Sequence, residues 1–208
     1  MTVVVGIDEV GRGSFAGPLV VVAAAFLIQG DWDPASKCPT PGVKDSKKYT
    51  GHKSRSVVAE ALRSCETLLA AGCGQIEAEE INRIGMGKAM KLAISNAVSG
   101  VEREGVLPDL ILLDGNERVP NWRGLQKNTP KADNLWWPVS AASVLAKVYR
   151  DGLMIAAADE FPEYDFANNM GYGTPKHIDA LRKIGPCRLH RTSFIQSSLA
   201  SDVTISIP

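Results

Sequence analysis

Near its N-terminus the chain runs from an apolar segment into two adjacent acids and a glycine-rich turn, and this order restricts the possible folds most strongly. Residues 3–8 have the composition of a buried β-strand, and Asp8 and Glu9 stand where that strand would end. A second apolar run, residues 18–28, follows after a turn at residues 11–17. Because the connection is so short, we expect the two strands to pair antiparallel.

The adjacent acids Asp8 and Glu9 indicate a cation-binding site. Two carboxylates at the end of a buried strand are costly to desolvate unless a positive charge meets them, and no lysine or histidine adjoins them in the sequence. A strand end with hydrated acids is the alternative interpretation. Since successive residues of a regular strand face opposite sides, a shared site requires that the strand bulge or end there, or that Glu9 contribute its backbone carbonyl.

A further apolar segment, residues 109–113, leads to Asp114 and then to a glycine. Ligands bind where strand ends border a cleft in α/β sheets, so we expect neighbouring strands to bring Asp114 close to Asp8 and Glu9. Three like charges at short range raise one another's pKa unless a cation neutralises them. Mg²⁺ and Mn²⁺ are the hard, oxygen-seeking ions that an all-carboxylate site selects.

A helix predicted to begin near residue 140 carries a polar face. Positions 0, 3, 7 and 11 of this segment lie on one side of a helix and hold Ser140, Ser143, Lys147 and Asp151. Lys147 and Asp151 are four residues apart and can form an ion pair. An ordinary solvated helix face is the alternative.

The remaining pattern alternates between strands and helices and predicts one α/β domain over residues 1–208. We expect helices over residues 51–72, 78–84, 88–104, 139–161 and 174–185, and a short strand over residues 73–77. Thr174 is predicted to cap the last of these helices, with a proline at its first position. Residues 118–137 show weak periodicity, and the short C-terminal tail at residues 197–208 is expected to be a loose end or a small flap.

Length and composition limit the class of protein. A chain of 208 residues with 45% apolar content can bury a sizeable core. It contains no run of about 18 uncharged apolar residues and no signal-peptide pattern, so we expect neither a membrane span nor secretion. The four cysteines are scattered, which is typical of free thiols in a reducing compartment, and we therefore expect a cytoplasmic protein.

Charge is balanced overall but uneven along the chain. Lysine and arginine number 23, as do aspartate and glutamate, and this removes the simplest argument for a nucleic-acid partner, a strongly basic domain. Basic residues are nevertheless concentrated locally, because residues 44–63 hold six against two acids and residues 171–191 hold five against one. Such patches fit a polyanion that is bound locally, or else solvated faces.

Seven short sequence blocks, spread in order over nearly the whole chain, resemble the motifs of the prokaryotic ribonuclease HII family, also called type 2 ribonuclease H. The blocks lie at residues 6–18 (GIDEVGRGSFAGP), 45–47 (DSK), 113–116 (LDGN), 131–133 (KAD), 139–151 (VSAASVLAKVYRD), 171–177 (GYGTPKH) and 185–194 (GPCRLHRTSF). A single block of this kind can occur by chance, whereas seven blocks in the family's order are very specific.

The resemblance implies a fold and an activity. The expected fold is an RNase H-like α/β fold, with a mixed central sheet flanked by helices and a helical C-terminal portion. The implied activity is hydrolysis of the RNA strand of RNA–DNA hybrids and cleavage of duplex DNA on the 5′ side of single embedded ribonucleotides, leaving 5′-phosphate and 3′-hydroxyl ends. The family also implies Mg²⁺ or Mn²⁺ as cofactor, with two ions during catalysis.

Matching the motifs assigns site residues by resemblance. The four metal-binding catalytic acids fall on Asp8, Glu9, Asp114 and Asp133, of which Asp133 has no signal of its own in spacing or periodicity. The resemblance implies that a turn, here called the glycine turn, contacts the 2′-hydroxyl beside the scissile phosphate. This turn consists of Gly11, Arg12 and Gly13.

Further substrate contacts are implied along the chain. Tyr172 resembles the family tyrosine that packs on the sugar of the following deoxynucleotide, with a core anchor in a tight turn as the alternative. For two arginines assigned to phosphate, Arg188 and Arg191, a solvated face is the alternative. The remaining substrate contacts are expected from Lys47, Ser140, Ser143 and Lys147, and supporting roles are expected from Asp45 and Asp151.

Two other functions fit part of the same pattern. Another RNase H-like metal nuclease that acts on DNA, such as a resolvase, would keep the acids but would need no group to recognise a 2′-hydroxyl. A non-catalytic nucleic-acid-binding module would be expected to lack one or more of the acids, and all four are present. The neighbouring Trp136 and Trp137 are expected to pack in the core, with a stacking platform for bases as the alternative. We expect a monomer that binds nucleic acid and no membrane.

Overall fold

The computed structural model describes residues 1–30, 33, 38, 43 and 51–199 of the chain. Within these residues, five strands form one mixed sheet in the order β3-β2-β1-β4-β5. The strands are β1 (Thr2–Val10), β2 (Leu19–Ile28), β3 (Leu68–Ile76), β4 (Leu110–Asp114) and β5 (Leu125–Thr129).

Helices surround this sheet and continue beyond it. The α-helices are α1 (Gly51–Arg63), α2 (Ala78–Ile84), α3 (Met86–Arg103), α4 (Trp137–Glu160), α5 (Phe166–Asn169), α6 (Pro175–Ile184) and α7 (Thr192–Leu199). In the described ranges, 3-10 turns lie at Ala132–Asn134 and Pro162–Tyr164. No helix in the described part of the chain combines the length and the apolar content that crossing a membrane requires.

The central strand β1 determines which strand ends meet. It pairs antiparallel with β2, starting from Thr2 opposite Ile28, which confirms the predicted antiparallel pair. On its other side β1 runs parallel to β4, with Ile7 opposite Leu113. Because parallel strands end at the same edge of a sheet, this register brings the acids that follow Ile7 and Leu113 together.

Both faces of the sheet are covered because β1 and β2 are apolar on both sides. Val5 belongs to the core cluster that includes α3, whereas Val4 belongs to the cluster that includes α4. Helix α4 approaches β1 so closely at Gly6 that a Cβ there would lie 2.1 Å from the carbonyl group of Pro138. The absence of a side chain at Gly6 therefore lets the start of α4 lie directly on the central strand.

The helical C-terminal portion packs against the loop between β1 and β2. The backbone N–H of Phe15 donates to the carbonyl of Gly171 at 2.8 Å, and the N–H of Arg191 donates to the carbonyl of Phe15 at 2.7 Å. A third core cluster fills the space between them and contains Ala16, Met154, Tyr164, Phe166, Leu181 and Ile195. The glycine turn is thus supported by residues from the far end of the sequence.

The predicted helix over residues 51–72 is wrong beyond Arg63. Helix α1 ends there, and β3 pairs antiparallel with β2. The neighbouring Leu68 and Leu69 fit the apolar pattern of either element, so the pairing with β2 decides between them. Small residues of β3 also accommodate α3, since a Cβ at Gly74 would lie 1.9 Å from the carbonyl oxygen of Ala93.

Strand β5 has no strand signal in the sequence. It reads LQKNT, is largely polar, and pairs with β4 alone at the edge of the sheet. The other predicted helices agree with α2, α3, α4 and α6 to within two residues at each end. The side chain of Thr174 accepts a hydrogen bond from the backbone N–H of His177, which confirms the predicted cap.

The two neighbouring tryptophans pack on the sheet. Trp137 is 6% exposed, and its ring meets Phe26 edge-on with ring centroids 4.7 Å apart. Trp136 is partly buried against the same core cluster. The packing interpretation is therefore confirmed and the exposed stacking platform is not.

Candidate active site

A cavity of ≈ 280 Å³ lies where β1 and β4 end. It brings together three of the predicted acids, the whole glycine turn, two residues of the polar face of α4, and the predicted aromatic contact. The lining residues are Asp8, Glu9, Val10, Gly11, Arg12, Gly13, Asp114, Ser143, Lys147 and Tyr172.

Asp8 carries the most perturbed carboxyl group of this cavity. Its residue is 6% exposed, and burial raises the pKa of the Asp8 carboxyl to about 8. A hydrogen bond from Ser143 partly opposes this rise, while the nearby charges of Glu9 and Asp114 add to it. The backbone N–H of Glu9 also donates to Asp8 Oδ1 at 2.8 Å. Without a cation, a negative charge on Asp8 is therefore unfavourable near neutral pH.

Glu9 reaches the same cavity from the neighbouring position on β1. The register of β1 on β2 stays regular through Val10 opposite Val20, so β1 neither bulges nor ends at the two acids. Its pairing with β4 stops at Ile7 opposite Leu113, which leaves Asp8 and Glu9 beside the opening between the two strands. Burial raises the pKa of the Glu9 carboxyl, and the charge of Arg12 opposes that rise. Arg12 Nη1 lies 3.6 Å from Glu9 Oε1.

Asp114 connects the cavity to the segment that contains the fourth acid. Its Oδ1 accepts a hydrogen bond from the backbone N–H of Ala132 at 2.7 Å. The next residue, Asp133, is 2% exposed, and its Oδ1 accepts from the side-chain amide of Asn134 at 3.0 Å. Asp133 does not line the cavity, so its role as a metal ligand remains a prediction.

The donor atoms of the cavity fit a hard divalent cation. Asp8, Glu9 and Asp114 offer carboxylate oxygens, which Mg²⁺ and Mn²⁺ prefer, and a cation would offset the burial and the neighbouring charges that together raise the pKa of Asp8. Within the described residues, however, no three His, Cys, Asp or Glu side chains are already drawn together as a metal cage.

The polar face of α4 contributes a lysine to the cavity. Lys147 Nζ lies 2.7 Å from Asp151 Oδ1, so the ion pair predicted from their spacing is present. The Asp151 side chain is fully buried and also accepts from Arg55 Nη2 at 3.2 Å. Asp151 thus anchors two cations, and one of them, Lys147, faces the cavity.

Tyr172 presents an aromatic ring to the cavity rather than to the core. The residue is 37% exposed, which excludes the alternative of a buried core anchor. The ring lies 6.0 Å from Lys147 Nζ and 5.7 Å from the guanidinium carbon of Arg150. Its backbone N–H donates to the carbonyl of Asn169 at 2.9 Å, which holds the tight turn that carries it.

Three of the predicted substrate contacts lie away from the cavity. Arg191 is fully buried and donates to backbone carbonyls, so the predicted direct contact with phosphate is wrong. Ser140 is buried and donates to the backbone carbonyl of Asp133, which makes it a support of that segment. Arg188 forms two hydrogen bonds with Glu160, of 2.7 and 2.6 Å, outside the cavity, and would have to break them to bind phosphate. Lys47 and Asp45 lie outside the described residues.

Sequence reasoning missed two features behind the cavity. Arg150 is fully buried beneath Tyr172. The only hint of this burial in the sequence is that Arg150 lies four residues before Met154, and therefore on the same apolar side of α4 as that buried residue. His177 and His190 form a buried pair with Nε2 atoms 3.0 Å apart, and their spacing in the sequence indicates no such contact.

Solved structures share this architecture. The RNase HII of Archaeoglobus fulgidus, solved as a PCNA complex, matches with a TM-score of 0.74 and 23% identity over 97% of this chain and 98% of that chain. The ribonuclease H2 of Pyrococcus horikoshii matches with a TM-score of 0.69 and 22% identity over 94% of this chain and 96% of that chain. Bst-RNase HIII, solved in complex with Mn²⁺, matches with a TM-score of 0.67 and 20% identity over 96% of this chain and 70% of that chain.

These likenesses show that the fold is an RNase H-like α/β fold, so the predicted fold class is confirmed. Sequence comparison then narrows the class, because the ribonuclease HII family profile matches residues 5–197. Ribonuclease HII of Sphingopyxis alaskensis is 43% identical over 192 residues, which cover 92% of this chain and 88% of that protein. Ribonuclease HII of Syntrophobacter fumaroxidans is 42% identical over 195 residues, which cover 92% and 76%. The chain belongs to the ribonuclease HII family and is a hydrolytic endoribonuclease of the RNase H type.

Proposed function

We propose that this chain is a divalent-metal-dependent endoribonuclease that hydrolyses the RNA strand of RNA–DNA hybrids. We further propose that it cuts duplex DNA on the 5′ side of a single embedded ribonucleotide and leaves 5′-phosphate and 3′-hydroxyl ends. One observation carries the proposal: the acids at the ends of β1 and β4 share one cavity with a glycine turn and an exposed tyrosine. A DNA-only nuclease would need the acids but not the other two groups.

The acids are proposed to hold the metal. Asp8, Glu9 and Asp114 are the proposed ligands that face the cavity. Asp133 is proposed as the fourth ligand, because the preceding residue, Ala132, is hydrogen-bonded to Asp114. Bound divalent ions, Mg²⁺ or Mn²⁺, would supply an activated water and a Lewis acid for the leaving 3′-oxygen. The Mn²⁺ complex of Bst-RNase HIII, which has the same fold, supports this choice of ion.

Lys147 is proposed to bind the scissile strand through its phosphate. Its ammonium group is held by the buried carboxylate of Asp151, and therefore stays on the cavity side of α4 without the full entropic cost of ordering a free lysine. A positive charge at this position attracts the phosphate that the acids alone would repel.

The glycine turn is proposed to contact the 2′-hydroxyl, and its two glycines serve different purposes. Gly11 has φ of +84°, and a Cβ there would lie 2.2 Å from Arg150 Nε, so the fold itself requires a glycine. Among the residues that the structure describes, no atom lies within 4 Å of the position that a Cβ at Gly13 would take. Since none of these described neighbours accounts for the missing side chain of Gly13, the open space beside it suits close approach of a ligand.

Tyr172 is proposed to pack on the sugar that follows the ribonucleotide. Its half-exposed ring borders the same cavity as the glycine turn, so one nucleotide step can contact both groups. Such packing is tolerant of base sequence, because every nucleotide presents a similar sugar face.

The proposal is tested by cleavage of a labelled DNA duplex that contains one ribonucleotide, in Mg²⁺ or Mn²⁺, beside an all-DNA duplex and a chelator control. A single cut 5′ of the ribonucleotide, absent in chelator and absent from the all-DNA duplex, is the expected result. Cleavage of a long RNA–DNA hybrid without this cut would contradict the proposed roles of the glycine turn and Tyr172. Equal cleavage of the all-DNA duplex would indicate a DNA nuclease instead.

A further inference from the structure

Two fully buried arginines, Arg150 and Arg191, lie behind the glycine turn and are here called the arginine pair. Arg191 Nη1 donates to the carbonyl oxygens of Gly11 at 2.6 Å and Arg12 at 3.1 Å. Its Nε and Nη2 donate to the carbonyl of Gly17 at 3.1 and 2.8 Å. One guanidinium therefore holds both ends of the loop that contains the turn.

Arg150 holds the same loop from a second direction. It donates to the carbonyls of Pro18 at 2.9 Å and Ala16 at 3.0 Å, and to the hydroxyl of Ser14 at 2.9 Å. The Ser14 hydroxyl in turn donates to the carbonyl of Gly11 at 3.0 Å. Ser14 thus links Arg150 to the first residue of the glycine turn.

The arginine pair is buried without a carboxylate. Every acceptor of Arg150 and Arg191 within the described residues is a backbone carbonyl or the Ser14 hydroxyl. Burial lowers the pKa of both guanidinium groups, that of Arg191 to about 9. Apolar side chains of similar volume often stabilise a core at least as well as buried charges, so packing alone does not account for two buried cations here.

The geometry of the peptide group shows what the pair does to the turn. In a trans peptide the C=O of one residue and the N–H of the next point in opposite directions. Because Arg191 holds the carbonyls of Gly11 and Arg12 inward, the N–H groups of Arg12 and Gly13 point outward, and both residues are exposed and line the cavity. Neither N–H donates to an acceptor in the part of the chain that the structure describes.

We propose that Arg191 is a positioning residue that, together with Arg150 and Ser14, presents the N–H groups of Arg12 and Gly13 to the cavity as two adjacent donors. Their ligand is the 2′-hydroxyl oxygen of the ribonucleotide, and the arginine pair thereby sets the preference for ribonucleotide-containing over all-DNA duplex. Adjacent N–H groups in a turn form a recognised site for oxygen ligands of this kind. The inference rests on the proposed cleavage of ribonucleotide-containing duplexes and deepens it.

The test compares Arg191→Lys with wild type in steady-state cleavage of the single-ribonucleotide duplex, with all-DNA duplex as competitive inhibitor. Lysine keeps the charge but cannot hold two carbonyls in a fixed fork. We expect the ratio of the all-DNA Ki to the ribonucleotide KM to fall about 10²-fold, because small displacements of contacting groups have effects of that size. The all-DNA Ki and the Mn²⁺ affinity measured by calorimetry should stay unchanged, since phosphate and metal contacts are untouched.

Arg83→Lys is the matched control, because Arg83 forms an exposed ion pair with Glu80 at 2.6 Å. It should leave the ratio unchanged. Ser14→Ala is a milder second variant that removes the link from Arg150 to Gly11 without changing a charge, and it should lower the ratio about threefold to tenfold.

The outcomes separate this inference from the proposed function. Failure of wild type to cut the single-ribonucleotide duplex rejects the proposed function before any variant is compared. If wild type cuts the duplex and Arg191→Lys folds but loses only kcat, while its ratio of all-DNA Ki to ribonucleotide KM stays that of wild type, the role of Arg191 is structural. That result overturns the inference. If Arg191→Lys does not fold, Ser14→Ala decides: a lowered ratio supports the inference and an unchanged ratio overturns it.

Discussion

His177 and His190 face each other through their Nε2 atoms at 3.0 Å, buried in the helical C-terminal portion. His190 Nδ1 accepts from the backbone N–H of Cys187 at 2.9 Å, so the proton of a neutral His190 sits on Nε2. His177 Nδ1 lies 2.9 Å from the carbonyl of Tyr172, which can only accept, so His177 carries its proton on Nδ1. The two neutral rings thus form one directed chain that connects the segment before Arg191 to the backbone of Tyr172.

This pair predicts a loss of stability in mild acid. Burial and the neighbouring His177 lower the pKa of His190 to about 4, and burial lowers the pKa of His177. The unfolded chain, with an ordinary pKa near 6.5, binds more protons than the folded chain, so the stabilisation is complete above about pH 6.5 and is lost as pH falls towards about 4. His190 alone accounts for about 2 kcal/mol between roughly pH 7 and 5.

His190→Gln should reduce this dependence, as measured by urea unfolding near pH 7 and near pH 5. His52→Gln is the control, because His52 lies in α1 and outside the pair. A dependence on pH in His190→Gln as steep as in wild type would contradict the assignment of the effect to the pair.

Asp8→Asn should stabilise the metal-free protein while it abolishes cleavage. The pKa of Asp8 is raised to about 8 from 3.8, so the folded chain binds more protons than the unfolded chain between these values and becomes less stable as pH rises through them. Removing the charge should increase the free energy of unfolding near pH 8 by roughly 3 to 5 kcal/mol. Calorimetry in chelator measures this, and Mn²⁺ should raise the melting temperature of wild type but not of Asp8→Asn. If Asp8→Asn were no more stable than wild type, the ionised Asp8 carboxylate would not destabilise the folded protein.

Asp114→Asn should lower cleavage by about 10³-fold or more while leaving the fold intact, because the asparagine oxygen can still accept from Ala132 but no longer binds metal as a charged ligand. Asp109→Asn is the control, because Asp109 immediately precedes β4, at the end away from Asp114, and its Oδ2 accepts from the N–H of Val3 at 2.7 Å. Cleavage rates and circular dichroism melting curves measure the two effects. Retained activity in Asp114→Asn would remove Asp114 from the metal site.

Asp133→Asn tests the acid that does not line the cavity. If metal binding draws the segment Ala132–Asn134 towards Asp114, Asp133→Asn should lose Mn²⁺ affinity and activity to a similar extent as Asp114→Asn. Titration calorimetry with Mn²⁺ measures the affinity directly. Unchanged affinity would leave Asp133 with a structural role behind Asp114.

Tyr172→Ala should raise the KM for the single-ribonucleotide duplex about tenfold, since aromatic contacts with nucleotides are worth on the order of 1 to 3 kcal/mol. The melting temperature should change little, because the ring is 37% exposed. Tyr149→Ala is the matched control, because Tyr149 has a similar exposed fraction, 42%, but does not line the cavity. An equal effect of the two substitutions on KM would show that Tyr172 has no specific contact with the substrate.

Local sequence patterns were sufficient to predict the strands β1 and β4 and the acids that these strands bring to the cavity. The apolar runs of β1 and β4 each lead into an acid, and their parallel register joins Asp8 to Asp114 as predicted. The spacing of Lys147 and Asp151 likewise predicts a pair that the structure contains. These features depend on the periodicity of neighbouring residues, which the sequence displays directly.

Other elements depend on partners that the sequence does not display. Leu68 begins a strand rather than extending a helix because β2 supplies hydrogen bonds to it. The polar strand β5 exists because β4 pairs with it at the edge of the sheet. Asp133 follows no periodic segment, so only the family resemblance pointed to it.

Local sequence patterns account for the succession of strands, acids and glycines along the chain, for the polar face of α4 and for the assignment to the ribonuclease HII family. The role of Arg191 emerges from the folded chain alone, because its hydrogen bond to Gly11 spans 180 residues of sequence. Burial makes the difference, since a local pattern cannot distinguish an exposed arginine that binds phosphate from a buried one that donates to carbonyls. That distinction appears only when distant segments close around the side chain.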